Sequence, residues 1–210
     1  MSTDKNLVHI IDDDDAVRDS LALLLTSVGL ESQQYASATE FLESTLDDRV
    51  PGCLILDVRM PGMSGLQLFK ELHKRGLSWP VIFMTGHGDV PMAVQAMREG
   101  AFDFVQKPFR ESELLDRVQQ AIAQDRNDRT QDSELAAVQQ RLAELTGRER
   151  DVLDRIVAGQ ANKVIAIELD ISQRTVEQHR ARVMRKMNAR SLAHLIRMVI
   201  HAPQTSDNPS

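Results

Sequence analysis

Four short apolar runs in this chain each end in a residue that can bind or react. Leu7-Val8-His9-Ile10-Ile11 leads into Asp12-Asp13-Asp14-Asp15, and Cys53-Leu54-Ile55-Leu56 leads into Asp57. Val81-Ile82-Phe83-Met84 leads into Thr85-Gly86-His87-Gly88, and Phe102-Asp103-Phe104-Val105-Gln106 into Lys107-Pro108. Such runs read as buried strands, and open α/β sheets bind ligands outside the carboxyl ends of their strands. Acids, a hydroxyl and a lysine at those ends gather metal ligands, a nucleophilic carboxylate and a phosphate-binding cation in one crevice.

Helix-like patterns separate the runs. Val17, Leu21, Leu24, Leu25 and Val28 keep helical spacing, with Gly29 as the stop. A short strand at about 31–35 and a helix around Phe41, Leu42 and Leu46 follow. Leu66, Phe69 and Leu72 mark the next helix, Met92, Ala93, Ala96 and Met97 another, and Leu114, Leu115, Val118 and Ile122 a fifth. Five strands in strict alternation with five helices predict an α/β fold: a doubly wound, five-stranded parallel sheet covered on both faces. The pattern then changes to helix alone, which predicts a second, smaller all-α domain.

Charge divides the chain in the same way. Residues 1–140 carry 13 Lys and Arg against 23 Asp and Glu, a net of −10, whereas residues 141–201 carry 12 against 7, a net of +5. An acidic front and a basic rear point to two domains, the rear one facing a polyanion; two ordinarily charged surfaces are the alternative. The lone Cys53 lies in an apolar run, so it reads as a core residue in a reducing compartment. The first residues lack a signal-peptide pattern, and no apolar stretch is long enough to span a membrane. A soluble, cytoplasmic protein is expected.

The expected boundaries are 1–123 for the front domain, 124–141 for a linker, 142–201 for the rear domain and 202–210 for a disordered tail. Residues 124–134 contain no apolar side chain, yet also no Gly or Pro, and Leu135, Val138, Leu142 and Leu145 then recur at heptad-like spacing. That predicts a helical connector, either paired with a second chain or ending as a short packing helix. In the rear domain Thr146-Gly147-Arg148-Glu149 fits a capping box ahead of Val152, Leu153, Ile156 and Val157, with Gly159 as the stop. Asn162 is expected to cap a short helix with Val164, Ile165 and Leu169. Ser172 is expected to cap a helix over 173–187 that buries Val176, Val183 and Met187, and a last helix is expected to bury Leu192, Leu195, Ile196 and Val199. Two short helices joined by a tight turn, the second rich in Arg, signal a helix-turn-helix.

The chemistry of the strand ends is that of phosphoryl capture. A carboxylate can attack a phosphoryl group once their mutual repulsion is offset, which a hard divalent cation on one or two carboxylates achieves. At Ile11-Asp12-Asp13-Asp14, Leu56-Asp57-Val58-Arg59-Met60-Pro61-Gly62-Met63-Ser64-Gly65, Met84-Thr85-Gly86 and Lys107-Pro108-Phe109 the chain resembles the receiver domain of two-component response regulators, over roughly residues 6–123. The resemblance implies a flavodoxin-like strand order, 2-1-3-4-5. It implies that Asp57 accepts a phosphoryl group from a sensor histidine kinase. It implies that Asp12, Asp13, Asp57 and the carbonyl of Arg59 surround Mg2+, that Thr85 and Lys107 bind phosphoryl oxygens, and that Phe104 is the aromatic switch. The tract from Thr85 to Ala93 is similar to the FixJ branch, with His87 a loop residue that moves with Thr85 rather than a catalytic base.

The rear domain resembles the LuxR/FixJ-type helix-turn-helix in Leu145–Leu153, Gly159, Asn162-Lys163, Ile165-Ala166, Ile171-Ser172, Arg174–Glu177, His179-Arg180 and Lys186-Met187. Helical geometry then turns Glu177, Gln178 and Ala181 outward toward base edges, where Glu can accept from cytosine and Gln can pair with adenine. Lys163, Arg174, Thr175, Arg182 and Arg185 are placed for phosphates. The combined resemblance implies a FixJ-type response regulator that binds promoter DNA, works with RNA polymerase, and on phosphorylation either forms a homodimer or releases its rear domain. Two other classes compete. A phosphohydrolase of the haloacid dehalogenase type also uses an Asp nucleophile with Mg2+, but carries a second acid where this chain has Arg59. A protein-binding adaptor would leave the basic recognition helix unexplained.

Overall fold

The computed structural model describes residues 6–45, 49–86 and 90–201, without the side chains of Val90 and Ala93. Leu46, His87 and the expected tail lie outside the described residues. Strand and helix alternate in the order β1 (Leu7–Ile11), α1 (Asp15–Ser27), β2 (Glu31–Tyr35), α2 (Ala38–Glu43), β3 (Gly52–Asp57), α3 (Gly65–Lys74), β4 (Val81–Thr85), α4 (Val90–Arg98), β5 (Asp103–Gln106) and α5 (Glu111–Ala143). All four strand pairs are parallel, in the order β2-β1-β3-β4-β5. β1 and β3 are thus neighbours, and the chain leaves them in opposite directions across the sheet, which opens a crevice at their carboxyl ends.

Alternate residues of the central strands supply two separate cores. His9's neighbours in sequence, Val8 and Ile10, pack with Cys53, Ile55, Ile82 and Met84 under Leu21 and Leu25 of α1 and Leu114 and Val118 of α5. Ile11, Leu54, Leu56, Val81 and Phe83 point the other way, onto Phe41, Leu66, Phe69, Leu72 and Ala96. Both faces being covered, the inner strands are buried along their length, whereas the edge strand β2 is polar and buries only Tyr35. Val28 and Met97, which share the apolar spacing of their helices, are exposed. Val28 caps the end of α1, past its last buried turn.

His9 is enclosed in this sheet at 2 % exposure. Its ring lies 5.4 Å from Phe41, 5.1 Å from Trp79 and 5.8 Å from Tyr35, whose hydroxyl is 3.3 Å from Nδ1. Burial holds the imidazole down at about 4, so it is neutral at pH 7.

The chain divides into two units after Arg129, within the unbroken helix α5. The stretch expected as linker is therefore split between them, and its first turns belong to the sheet. Asp125 is buried and accepts from the amide of Gly52 at 2.9 Å and from Nε of Arg129 at 2.7 Å. Gly52 leaves no alternative packing there, since a Cβ on it would sit 2.0 Å from the Leu7 carbonyl oxygen. Arg126 adds a bond to the Asn6 side chain at 3.1 Å.

The second unit holds the end of α5, then α6 (Gly147–Val157), α7 (Asn162–Glu168), α8 (Gln173–Lys186) and α9 (Leu192–His201). Val138 and Leu145 are buried in its core with Val152, Leu153, Ile156, Ile165, Val176, Val183, Met187 and Leu195, and Leu135 and Leu142 pack against it. The heptad-like stripe thus packs within its own unit. Thr146 and Glu149 form the expected capping box. Ala161, not Asn162, is the N-cap of α7: it holds the extended backbone of a cap but has no side chain to accept a bond, and Asn162 is already helical. Leu192, expected in the core, is the first residue of α9 and is exposed.

An unfolded histidine titrates near 6.5, above His9 in the fold. Between the two values the unfolded chain binds a proton that the folded chain refuses. Stability is therefore full above that window and falls as pH drops through it. In urea unfolding at about pH 7 and about pH 4.5, wild type is expected to lose about 2–3 kcal/mol more than His9→Leu. Equal losses in the two proteins would remove His9 as the cause.

Candidate functional site

Four consecutive acids follow β1, and the fold gives them different surroundings. Asp12 is buried; its Oδ1 accepts from the amide of Asp14 at 2.9 Å and its Oδ2 from Nζ of Lys107 at 2.8 Å. Asp14 caps α1 by accepting from the amides of Ala16 and Val17. Asp15 pairs with Arg18. Asp13 is exposed, and its carboxylate has no bonding partner among the described residues.

Asp57 closes β3 beside β1, 8 % exposed. Its Oδ1 accepts from Lys107 at 2.7 Å and its Oδ2 from the amide of Arg59 at 2.7 Å. Behind it the chain folds back so tightly that a Cβ on Gly65, the first residue of α3, would lie 2.2 Å from the Asp57 carbonyl oxygen. Burial raises the Asp57 carboxyl above its ordinary range, against the pull of Lys107. Burial works to lower the Lys107 ammonium, but its bonds to Asp12 and Asp57 outweigh that and raise it. One cation therefore bridges two buried carboxylates and opposes, at Asp57, the effect of burial.

The remaining expected residues of this unit lie around that group. Lys107 is tied to β4 through its own amide, which donates to the Thr85 carbonyl at 2.7 Å. The Thr85 side chain is buried, with its hydroxyl 3.5 Å from the Val105 carbonyl oxygen, a weak contact at best. Phe104, partly buried, packs on the core beneath α3 and α4. Arg59 is exposed beyond the end of β3. Arg18 is the residue the sequence pattern did not single out: it is buried, and Nη1 donates to the Asp12 carbonyl at 2.6 Å. Its spacing from Asp15 on α1 is the signal that was available.

In the second unit α7 and α8 are joined by a turn in which Asp170 takes a positive φ of 52°. Ser172 caps α8 through the Thr175 amide. Val176, Val183 and Met187 are fully buried, which turns Arg174, Glu177, Gln178, Ala181, Arg182 and Arg185 outward. Lys163 is exposed on α7, and Thr175 is half-buried with its hydroxyl 2.8 Å from that of Ser172. Lys186 is used differently. It donates to buried Glu149 at 2.7 Å and to the Glu144 carbonyl at 3.0 Å, fastening the end of α8 to the start of α6. That bond is the main reason the Glu149 carboxyl is held down at about 2.

The chain matches the response regulator receiver domain over residues 8–119 and the luxR family of bacterial regulatory proteins over residues 143–199. It is 52 % identical to the transcriptional regulatory protein FixJ of Azorhizobium caulinodans, over 93 % of this chain and 92 % of that one. The response regulator StyR has a similar structure, with a TM-score of 0.84 at 42 % identity, covering 93 % of this chain and 98 % of that one. Full-length FixJ from B. japonicum matches with a TM-score of 0.59 at 42 % identity, over 92 % and 95 % of the two chains. Among the described residues no helix is long and apolar enough to cross a membrane. A parallel sheet with an acidic crevice, followed by a basic helix-turn-helix unit, is thus one member of a known class: the chain belongs to the two-component response regulators that join a receiver domain to a LuxR-type DNA-binding domain.

Proposed function

We propose that Asp57 accepts a phosphoryl group from the phosphohistidine of a sensor kinase, and that the modified protein controls transcription through α8. The observation that carries this is the Asp12–Lys107–Asp57 group: a buried strand-end carboxylate in contact with a cation at 2.7 Å. An Asp57 oxygen forms the bond to phosphorus as the P–N bond breaks, and its electron pair returns to the imidazole nitrogen, which takes up a proton. Lys107 offsets charge on the incoming group. The Thr85 hydroxyl, in long contact with the Val105 carbonyl, can turn toward a phosphoryl oxygen, and Phe104, next to Val105 on β5, can follow.

The same crevice is our candidate for Mg2+. Among the described residues no three acids are gathered closely enough to enclose a metal ion. Asp12 and Asp57 are nonetheless brought together on Lys107, and the exposed Asp13 follows Asp12 directly. The hard oxygen donors thus outnumber the cation by two charges, which matches a small divalent ion that keeps most of its waters. Asp12, Asp13, Asp57 and the Arg59 carbonyl are the groups that would hold it. When bound, it supplies charge neutralisation for an anion approaching a carboxylate. Incubation with acetyl phosphate and Mg2+ is expected to label Asp57 alone, with a hydroxylamine-sensitive adduct. Labelling of Asp57→Asn to the wild-type level would rule Asp57 out.

The phosphoryl group adds roughly −1.5 to −2 charge at the site. We take its output to be pairing of two receivers through the face of α4 and β5, where Val94 and Met97 are exposed. Paired rear units would then engage a two-fold promoter site and present it to RNA polymerase. Light scattering of the full chain with a phosphoryl mimic is expected to show a doubled mass. An unchanged mass would instead favour release of the rear domain as the response.

Glu177, Gln178 and Ala181 face outward together on α8 and are assigned to base edges, while Lys163, Arg174, Thr175, Arg182 and Arg185 are assigned to phosphates. Glu177 makes no ion pair among the described residues, and an unpaired acid there is compatible with DNA only if it reads a base. Arg182→Ala is expected to weaken binding to all sequences and to reduce the salt slope by about one counterion. Gln178→Ala is expected to cost about 1–3 kcal/mol on the preferred site and little on random DNA. Selection from a random pool with both variants checks this; an unchanged preference for Gln178→Ala means that α8 is oriented differently.

A further inference from the structure

We propose that Arg18 is a positioning residue for the acidic site, an assignment that rests on the phosphoacceptor reading above and extends it. Arg18 lies one turn into α1 and is 9 % exposed. Nη1 donates to the Asp12 carbonyl at 2.6 Å, and Nη2 pairs with Asp15.

Stability does not explain this placement. The Asp15 side chain is 86 % exposed, so its pair with Arg18 is of the kind that contributes little, whereas burying a guanidinium is costly. What the burial achieves is contact with one particular carbonyl. The Asp12 carbonyl belongs to the peptide plane that joins Asp12 to Asp13, and that plane is rigid. Holding its oxygen fixes the direction in which Asp13 leaves the strand. The Asp12 side chain is already held at both carboxylate oxygens, by the Asp14 amide and by Lys107. The Asp13 side chain has no such support among the described residues, so its placement depends on its backbone, which Arg18 grips at the Asp12 carbonyl and the Asp12 carboxylate grips at the Asp14 amide. Arg suits this because its planar fork reaches a carbonyl and a carboxylate at once, which a lysine ammonium on a flexible stem does poorly.

Position and charge have opposite consequences for cation binding. If Arg18 mattered only as a charge, Arg18→Ala would leave Asp15 unpaired and strengthen Mg2+ binding, and Arg18→Lys would match wild type. If it positions the acids, both variants bind Mg2+ more weakly, by about tenfold, as when a group that orients a metal ligand is lost. Calorimetric titration of the full chain with MgCl2 alone, without phosphodonor, separates the two, with thermal unfolding run alongside. Should Arg18→Ala fail to fold, Arg18→Lys carries the test. Weakening in Arg18→Lys supports the assignment. Affinity equal to wild type, even with a lowered melting temperature, overturns it. A wild-type chain that binds no Mg2+ would overturn the phosphoacceptor reading itself, which is a different result.

Discussion

Two carboxylates from adjacent strands face the same crevice, and neither is open to bulk water. Burial, and to a smaller degree the neighbouring Asp12 charge, favour the protonated form of Asp57, in which it is no nucleophile. The Lys107 ammonium, within 2.8 Å of both carboxylates, works against them. Much of the fold serves to bring that cation there. The strand order sets β1 beside β3, β4 and β5 carry the chain to their far side, and the Lys107 amide is fixed to the Thr85 carbonyl so that its side chain reaches back over β4. Thr85 is thereby joined by its backbone to the lysine whose charge any phosphoryl group would share.

The strand ends were legible because a buried parallel strand is a continuous apolar run, and the first polar residue after it marks the edge of the sheet. Asp57 and Thr85 follow that rule, and Asp12 does so past one buried histidine; Lys107 follows a strand that carries Asp103 and Gln106 and is read from its place before Pro108. Local pattern says nothing of where a side chain turns once it reaches the edge. It could not show that the Thr85 hydroxyl faces Val105, or that Asp12 to Asp15 have four different surroundings. Asp125 was invisible for a related reason. It sits in a stretch without apolar residues, and its burial is satisfied by the Gly52 amide, a partner distant in sequence. Leu135 and Val138 were read correctly as an apolar stripe, but periodicity cannot say which surface covers a stripe; here it is the second unit's own core.

The second unit shows the same division between pattern and partner. Helical spacing fixes the buried face of α8, and with it which residues point outward. It does not reveal that Lys186, on a helix rich in arginine, is engaged with Glu149 rather than left for an anion. A count of basic residues on α8 therefore overstates its charge toward DNA. The bond also joins the last turn of α8 to the capping box of α6, so helix termination and helix packing rest on one carboxylate.

Asp125 bears on how such proteins can be taken apart and recombined. The receiver family match ends at residue 119, and the last apolar core residue of the sheet is Ile122, so either would suggest a cut just beyond. A chimera joined there would give Gly52 a foreign residue in place of the carboxylate its amide requires, in a spot where the strands pack too closely to adjust. Joined after Arg129, the borrowed receiver would bring its own closure with it. In this chain the natural unit of exchange includes two helical turns that look, by composition, like part of something else.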